Sequence, residues 1–315
     1  MKYHTFLNPL LIGLLLLIAP FFFLGGPGYH SPRSFQSFWD LGHIFYFFLL
    51  SCWLCRTLRG RFAQLSPLRL FVYIVSAVFL FGLLVEILQN FTSGRSPDMF
   101  DVLRNLQGCL IAFAFFIRPP LLNRPWQQQA FRGMVLILLA IALWPLTRSL
   151  IDEHLAARQF PMLADFETPF ELDRWVNRAQ LREETQRVRH GQKAVRVQLS
   201  TAKYSGISLF HFPGDWRSFR TLRYSVYNPQ DGGLVLNCRI NDTHHKAHGQ
   251  EFSDRFNQQF ILQQGWNDLI IPLDKVKNSL KGRTMDMEHI EGFGLFVVQQ
   301  ARPMEIYLDY VYLSE

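Results

Sequence analysis

The stretch at residues 86–108, EILQNFTSGRSPDMFDVLRNLQG, decides how the first half of this chain folds. It places polar residues at helical intervals within two otherwise apolar segments. Glu86 and Gln89 are three positions apart, and Asp101 and Asn105 follow Asp98 at offsets of three and seven, so each set shares one helix face. Charged residues inside membrane helices are costly unless they face inward and pair. The stretch therefore predicts two membrane helices whose polar faces meet.

Apolar segments on both sides of this stretch indicate a membrane domain over residues 1–150. About 20 apolar residues are needed to cross a hydrocarbon core, and five segments approach that length, at about residues 6–24, 41–58, 68–88, 99–117 and 131–150. The first segment has features of a signal peptide, but its length and the lack of a small-x-small cleavage site favour an uncleaved helix. The sequence thus predicts an α-helical bundle of five transmembrane helices.

The distribution of charged residues predicts how the chain is oriented in the membrane. Residues 1–150 contain 12 of the 32 Lys and Arg residues but only 4 of the 25 Asp and Glu residues, so the net charge of +7 originates in the membrane half. Arginines concentrate in the links between the second and third and between the fourth and fifth segments, and such links stay cytoplasmic. This pattern predicts a multi-pass protein of the bacterial cytoplasmic (inner) membrane, with a cytoplasmic N terminus and a periplasmic or extracellular C-terminal domain. Basic residues placed between apolar segments argue against nucleic acid as a partner and against a disordered chain.

The same topology gathers the polar residues of these helices at their outer ends. We expect the acids of this belt to pair with Arg95 and Arg104, because unpaired carboxylates at membrane depth are costly. Two interpretations stay open: a clasp that holds the helices together, or a binding site, since ionisable residues in membranes commonly mark sites. The candidate binding residues are Asp40, His43, Glu86, Gln89, Arg95, Asp98, Asp101, Arg104 and Asn105.

These polar residues also carry a family resemblance. Residues 86–108 combine a Glu-x-x-Gln pair, a short loop with arginine, and Asp, Asn and Gly along the next helix. This arrangement resembles the signature of VanZ-like membrane proteins, and the segment around His43 resembles an earlier polar motif of that family. The resemblance covers about residues 5–118 and implies a cell-envelope role connected with resistance to glycopeptide antibiotics, without an assigned reaction. One departure is that Trp39, Asp40 and Leu41 supply no lysine before the histidine, so the role of that lysine cannot be transferred.

After residue 150 the sequence period changes from helical to alternating. Val195, Val197 and Leu199 alternate with polar residues, and six further short apolar segments are separated by turn-forming residues. Seven or more strands without a convincing helix predict an all-β antiparallel sandwich of jelly-roll type. We assign residues 165–315 to this exported domain and residues 151–164 to a linker.

The exported half resembles galactose-binding-type jelly rolls and carbohydrate-binding modules. The resemblance covers about residues 160–315 and rests on Asp165-Phe-Glu167, Gly265-Trp-Asn267 and the closing strand around Asp309. In such domains the opening and closing acids often surround a structural Ca²⁺, which implies Glu167 and Asp309 as calcium ligands. Calcium needs six or more oxygens, so the alternative is that both acids hydrogen-bond loops at the sheet ends. No other cofactor is expected.

Two groups of residues are candidates for binding glycan. Tryptophans stack on sugar rings, and Trp216, beside Gly214 and Asp215, is the better exposed candidate, whereas Trp266 is expected in the core. His244, His245 and His248 lie in a loop after a strand. Their spacing matches no established metal site, which favours a polar or sugar-facing loop over a transition-metal site.

Two functions compete, while a third, in which the helices only anchor the sandwich, is disfavoured because a single helix would suffice for that. The first is a membrane binding protein of the cell envelope that engages a lipid headgroup or lipid-linked precursor while its exported domain holds glycan. The second is an integral-membrane enzyme acting on a polyprenyl- or phospholipid-linked substrate, with Glu86 or Asp101 as general base and Arg95 holding phosphate. No phosphate loop, nucleophile elbow or zinc-protease motif occurs, which favours the binding protein. The sequence leaves the oligomeric state undecided.

Overall fold

The computed structural model describes residues 3–28, 31–61, 66–91, 98–117, 122, 124–177 and 180–315. The chain divides into two compact units, Met1–Thr147 and Arg148–Glu315. The first unit is helical and the second is built from β-sheets.

Within the described residues, four helices are long and apolar enough to cross a membrane, and a shorter apolar helix precedes them. The predicted helical bundle is confirmed, although four and not five of its described helices reach the length of a membrane span. The spans cover Arg33–Leu58, Leu68–Gln89, Met99–Ile117 and Pro125–Gln159. The elements are α1 (Tyr3–Ile18), a short 3-10 turn (Ala19–Phe22), α2 (Arg33–Arg61), α3 (Pro67–Gln89), α4 (Met99–Ala112) with a π-helical turn (Phe113–Ile117), and α5 (Pro125–Gln159).

Small residues let α2, α3 and α4 approach closely. A Cβ added to Gly108 of α4 would overlap the carbonyl oxygen of Ile44 and lie 2.8 Å from the backbone nitrogen of Phe48, both in α2. A Cβ on Gly82 of α3 would lie 2.6 Å from Nδ2 of Asn105. Small residues at such contacts are the usual means by which membrane helices pack.

We expect Gly108→Ala to destabilise the helical unit by about 1–3 kcal/mol, because the added methyl group meets backbone atoms that cannot rotate away. The measurement is thermal unfolding of the full chain in detergent. Gly133→Ala in α5 is the matched control, since no atom lies within 4 Å of its added Cβ. Equal melting temperatures for the two variants would contradict the close approach of α2 and α4.

The second unit confirms the predicted antiparallel sandwich. One sheet has the order β3-β4-β11-β6-β9, with β1 pairing with β11, and the other has the order β2-β5-β10-β7-β8. All described strand pairs are antiparallel. The strands are β1 (Met162–Ala164), β2 (Trp175–Val176), β3 (Leu181–Glu184), β4 (Ala194–Leu199), β5 (Tyr204–Leu209), β6 (Thr221–Asn228), β7 (Leu234–Asp242), β8 (Phe256–Leu262), β9 (Gly265–Pro272), β10 (Ile290–Val298) and β11 (Met304–Ser314), with one short helix, α6 (Leu273–Lys277).

The two sheets bury one apolar core between them. Residues of β4 such as Val195 and Val197 alternate with Arg196 and Gln198, and the apolar set faces the core. The same alternation in β7 and β10 places Leu236 and Leu295 in that core. Alternation with period two therefore specifies which face of each strand is buried.

The stretch at residues 151–164 has regular structure where we expected a linker. Helix α5 continues to Gln159, and β1 begins at Met162. Asp152 of α5 is 1% exposed and accepts hydrogen bonds from the Arg174 guanidinium at 2.8–3.1 Å. A buried ion pair thus joins the last turns of α5 to the sandwich, so this segment is part of the folded unit.

Candidate functional site

His43 is the centre of a buried polar cluster between α2, α3 and α4. Its ring is 3% exposed, and Nδ1 lies 3.0 Å from Oδ1 of Asn105. Nε2 lies 3.3 Å from Oδ2 of Asp101. The ring of Phe22 meets the imidazole edge-on, with 4.8 Å between centroids. The histidine therefore has a polar neighbour at each ring nitrogen and an aromatic neighbour beside the ring.

Arg104 ties together the acids at the entrance to α4. Its guanidinium contacts Oδ1 of Asp101, lies 3.1 Å from Oδ2 of Asp40 and lies 3.6 Å from Oδ2 of Asp98. Asp98 also caps α4 by accepting a hydrogen bond of 2.8 Å from the Phe100 amide. The expected pairing of the acids with Arg104 is thus present in the structure. Arg95, the second arginine proposed for this role, lies outside the described residues.

Glu86 and Gln89 bring the end of α3 into the same cluster. Oε2 of Glu86 accepts a hydrogen bond of 2.8 Å from the backbone N–H of Asp98. Oε1 of Glu86 is buried and has no hydrogen-bond partner among the described residues. Nε2 of Gln89 donates to the carbonyl of Phe22 at 3.0 Å, which fixes the turn after α1. Glu86 therefore has one oxygen that is fixed and one that is available.

An apolar cavity of about 490 Å³ opens beside this cluster within the helical unit. His43 is its polar end, and aromatic and aliphatic side chains form most of its wall. The lining residues are Ile18, Phe21, Phe22, Phe38, Trp39, Leu41, Gly42, His43 and Phe45. Ligand cavities of this kind are typically apolar with a few polar groups that fix the orientation of the ligand.

The charges of the cluster are unbalanced among the described residues. Four carboxylates, those of Asp40, Glu86, Asp98 and Asp101, lie with one guanidinium and one imidazole. Asp40 and Asp98 are 41% and 45% exposed, but Glu86 and Asp101 are only 4% and 14% exposed, and negative charge at such buried positions is costly in a low dielectric. The arrangement therefore favours a cation, whether an ion, a proton or the ammonium group of a ligand.

The fold and this cluster define a multi-pass membrane protein with a β-sandwich domain. A family model described as VanZ/LLP1 matches residues 10–123. The match to VanZ/LLP1 thus covers residues 10–123, and it confirms the resemblance drawn from the polar motif. No curated protein sequence matches the chain.

The sandwich is similar to carbohydrate-binding modules of known structure. The family 11 module of the cellulase Lic26A-Cel5E from Clostridium thermocellum is 14% identical, with a TM-score of 0.36 over 49% of this chain and 92% of that one. A non-crystalline cellulose-specific module, CBM28, is 10% identical, with a TM-score of 0.35 over 50% of this chain and 93% of that one. An exo-β-agarase is 14% identical, with a TM-score of 0.37 over 49% of this chain but only 24% of the agarase.

The expectation that Trp216 is exposed was wrong. Its side chain is 0% exposed and packs in the core against Phe212, and its indole N–H donates to the carbonyl of Pro213 at 3.2 Å. Glycine and aspartate before it suggested a surface turn, but the turn directs the indole inward between the sheets. Trp266, expected in the core, is half-buried beside Tyr227.

The histidine loop is held by acidic residues of neighbouring loops. His245 is buried, with Nδ1 3.3 Å from Oδ2 of Asp254, so the idea that it faces a sugar was wrong. His248 is exposed, and its Nδ1 lies 3.0 Å from the carbonyl oxygen of His244. His244 is exposed and lies 3.7 Å from Asp286. The spacing of the histidines could not show that acids distant in sequence hold this loop.

Low pH should destabilise the fold around this loop. Hydrogen bonds from Arg283 hold the pKa of Asp254 at about 2, below the usual value. A carboxyl with a lowered pKa in the folded state stabilises the fold above about pH 4, its unfolded value, and that contribution is lost as the pH falls towards 2. We expect the free energy of unfolding of the sandwich to fall as the pH is lowered through this window. The fall should be smaller in Asp254→Asn. Urea titrations at several pH values measure the slope, and equal slopes would contradict this role of Asp254.

Glu167 and Asp309 both hold the loop that precedes β4. Oε1 of Glu167 accepts from the backbone N–H of Lys193 at 2.7 Å, and Gly191, with φ of +70°, leaves room for this carboxylate. Oδ2 of Asp309 accepts from the backbone N–H groups of Arg189 and His190 at 2.7 and 2.9 Å. Burial raises the pKa of Asp309 despite these hydrogen bonds. Both acids thus make the loop contacts of the second interpretation.

Calcium fits these residues poorly. The ion requires six or more oxygens, while backbone N–H groups already occupy one oxygen of each acid. Oδ1 of Asp309 is buried without a hydrogen-bond partner and is the one vacant oxygen on these two acids that the described contacts identify. A calcium ion here stays a prediction, and a fall in the melting temperature with chelator would support it.

The outer face of the second sheet carries polar and aromatic residues that the sequence reasoning missed. Tyr204 of β5 is 61% exposed and lies edge-on to Phe296 of β10, with 6.0 Å between centroids. Arg239 of β7 donates to Oγ of Ser208 at 3.1 Å. Asn237 of β7 accepts from Nε2 of Gln259 at 3.0 Å. Their signal in the sequence is the alternation itself, since they occupy the positions between core residues.

Proposed function

We propose that this protein binds a membrane lipid or lipid-linked envelope precursor in its helical unit and an envelope glycan on its sandwich. The observation that carries the lipid part is the position of His43, which belongs both to the apolar cavity and to the polar cluster. An amphiphile would place its chain among the aromatic residues of the cavity and its headgroup at the cluster.

The charges of the cluster support a headgroup that brings a positive charge. A headgroup with an ammonium group would meet Asp101 or Asp40 directly, while a phosphate would need a cation beside it. The wall of the cavity is largely apolar, so a lipid tail would lose no hydrogen bonds on entering it. Both ends of an amphiphile are thus matched within one unit.

Gly42→Leu tests the lipid site by filling the cavity. No atom lies within 4 Å of a Cβ added to Gly42, so the side chain enters open space at the cavity wall. We expect the variant to purify in detergent with less bound lipid than the wild type, measured by mass spectrometry of extracted lipids. Gly133→Leu adds the same side chain to open space in α5, outside the cavity, and should retain the lipid. Equal lipid content in all three proteins would overturn the proposal.

The glycan part rests on the outer face of the second sheet. Exposed Tyr204 of β5 offers a ring for stacking on a sugar, and Arg239 of β7, on the far side of β10, offers a guanidinium on the same face. Aromatic rings with adjacent hydrogen-bonding groups are the usual means of binding sugars. This face replaces Trp216 as our candidate.

Tyr204→Ala and Arg239→Ala should each weaken glycan binding by at least tenfold, since each removes a direct contact. The measurement is calorimetric titration of the full chain in nanodiscs with soluble peptidoglycan fragments and envelope polysaccharides. Phe252→Ala is the matched control, because Phe252 is equally exposed but lies in a loop. If no saccharide of the panel binds the wild type, or if both variants bind normally, the glycan part fails.

The arginines support an outward position for the cluster and the sandwich. The link from α2 to α3 and the end of α4 are rich in arginine, whereas the cluster lies at the opposite ends of these helices. This orientation of α2 to α5 does not depend on whether α1 crosses the membrane. A periplasmically active phosphatase should be active when fused after Glu315 and inactive when fused after Arg61. The reverse pattern would contradict the orientation.

A catalytic role is the second candidate, and the vacant oxygen of Glu86 favours it. A buried carboxylate oxygen without a partner could accept a proton from a substrate. Glu86→Gln would then abolish turnover of an envelope lipid while lipid binding persists. If the membrane lipid composition of a strain carrying Glu86→Gln stayed unchanged, the catalytic role would be excluded and only the binding function would remain.

The VanZ/LLP1 domain also supports a role in resistance to envelope-directed antibiotics. A deletion strain should become more sensitive to a glycopeptide antibiotic, and wild type but not Gly42→Leu should restore growth. Equal rescue by both would separate resistance from the lipid site.

A further inference from the structure

We propose that His43, Glu86 and Asp101 bind a divalent first-row transition metal ion, with Zn²⁺ as the best match. Each residue offers one ligand atom, and these three atoms lie within 4.8 Å of one another. The residues come from α2, α3 and α4, so a single ion would connect three helices. This inference concerns the cluster itself and does not require a lipid.

The hydrogen bond between His43 and Asn105 prepares the imidazole for a metal. Oδ1 of Asn105 can only accept, so Nδ1 of His43 is the donor in this 3.0 Å contact. A neutral imidazole then presents a lone pair at Nε2, towards Oδ2 of Asp101. Histidines that bind metals commonly donate their other N–H to a fixed acceptor in this way.

The separation of the two ligand atoms agrees with a tetrahedral ion. Two ligands bonded at about 2.1 Å and at the tetrahedral angle lie about 3.4 Å apart. Nε2 of His43 and Oδ2 of Asp101 are 3.3 Å apart. Arg104 contacts the other oxygen of Asp101, Oδ1, and so leaves Oδ2 for the ion.

Glu86 supplies the independent sign of a missing partner. Its side chain is 4% exposed, and no described residue hydrogen-bonds Oε1, although buried polar atoms almost always have a partner. The N–H of Asp98 holds the other oxygen at 2.8 Å and fixes the carboxylate. A cation near Oε1 would satisfy this atom and offset the excess of carboxylates in the cluster.

The donor set indicates the type of ion. One imidazole nitrogen and two carboxylate oxygens suit Zn²⁺, and first-row affinity for such sites rises towards the end of the series. Three protein ligands would leave a fourth position open. Calcium and magnesium prefer sites made of oxygen alone.

Zinc titration of the purified full chain tests this site. The protein is stripped with chelator in detergent without added lipid, and bound zinc is measured by calorimetry and elemental analysis. We expect about one more zinc per chain in the wild type than in His43→Gln, Glu86→Gln or Asp101→Asn. Asn105→Ala, which removes only the support of the imidazole, should weaken binding by about 10- to 100-fold.

His154→Gln is the matched control, since His154 of α5 is exposed and belongs to no ligand set among the described residues. It should keep the zinc. The absorption spectrum of bound Co²⁺ provides a second readout, because it should change when a ligand is replaced in a protein that still folds. Zinc content that is equal in the wild type and all three ligand variants would overturn the proposal, as would a wild type that binds none.

Failure of this site and failure of the lipid site are distinguishable. Gly42→Leu replaces no ligand and should bind zinc normally even when it retains no lipid. Loss of zinc from the ligand variants with normal lipid content would support the metal site alone.

Discussion

Replacing Arg174 by methionine should lower the free energy of unfolding of the sandwich by about 3–5 kcal/mol, because it leaves the charge of Asp152 buried without its partner. Both side chains are 1% exposed, and three hydrogen bonds of 2.8–3.1 Å join them. Arg174 also donates to the carbonyl of Leu163 at 3.3 Å. The substitution therefore removes the contacts that connect α5, β1 and the strand after Arg174.

Cys238 reports this unfolding directly. It is 1% exposed in the core of the sandwich. In a background where the three cysteines of the helices are replaced by alanine, its reaction with a thiol reagent during a urea titration measures opening of the sandwich. The double variant Asp152→Leu/Arg174→Met should recover much of the loss, because no charge stays buried. A single variant as stable as the wild type would contradict this account.

Trp216→Ala should destabilise the sandwich by about 3–5 kcal/mol, since it empties the space of the largest fully buried side chain among the described residues. The same Cys238 assay measures it. Trp266→Ala is the matched control, because Trp266 is half-buried and packs mainly against Tyr227. We expect its cost to be about 1 kcal/mol. Equal costs for the two substitutions would contradict the different burial of the two indoles.

The contrast between these two tryptophans shows where sequence reasoning reached its limit. A glycine and an aspartate before Trp216 indicate a turn, but the direction in which the turn points its indole depends on loops far away in the chain. The carbonyl of Met287, 71 positions later, accepts the backbone N–H of Trp216 at 2.8 Å. A local pattern holds no information about such a partner.

The polar belt of the helices was easier to predict. Spacing alone put Asp98, Asp101 and Asn105 on one face, and the cost of charge in a membrane required that face to meet other polar groups. The structure brings Asn105 and Asp101 to His43, 62 and 58 positions earlier in the chain. The sequence could not show that Glu86 keeps a vacant oxygen, since this depends on which atoms surround it.

The outer face of the second sheet could be predicted from the sequence only in part. Alternation predicts that Asn237 and Arg239 point away from the core when Leu236 and Cys238 point towards it. It does not reveal that Tyr204 and Phe296 stand on the neighbouring strands of the same face, because strand order is a property of the whole sheet.

The sequence by itself determined the division of the chain into a helical membrane part and a β-sandwich, and the residues of the polar belt. The length of an apolar segment, the positions of the arginines and the periodicity of apolar residues can each be read from a short stretch of sequence. Each apolar segment also gains a large free energy when it leaves water. Only the tertiary structure decided which belt residues touch, that Trp216 is buried and that α5 reaches the sandwich through Asp152. Those outcomes depend on close packing between segments distant in sequence, where a few ångströms separate a paired group from a vacant one.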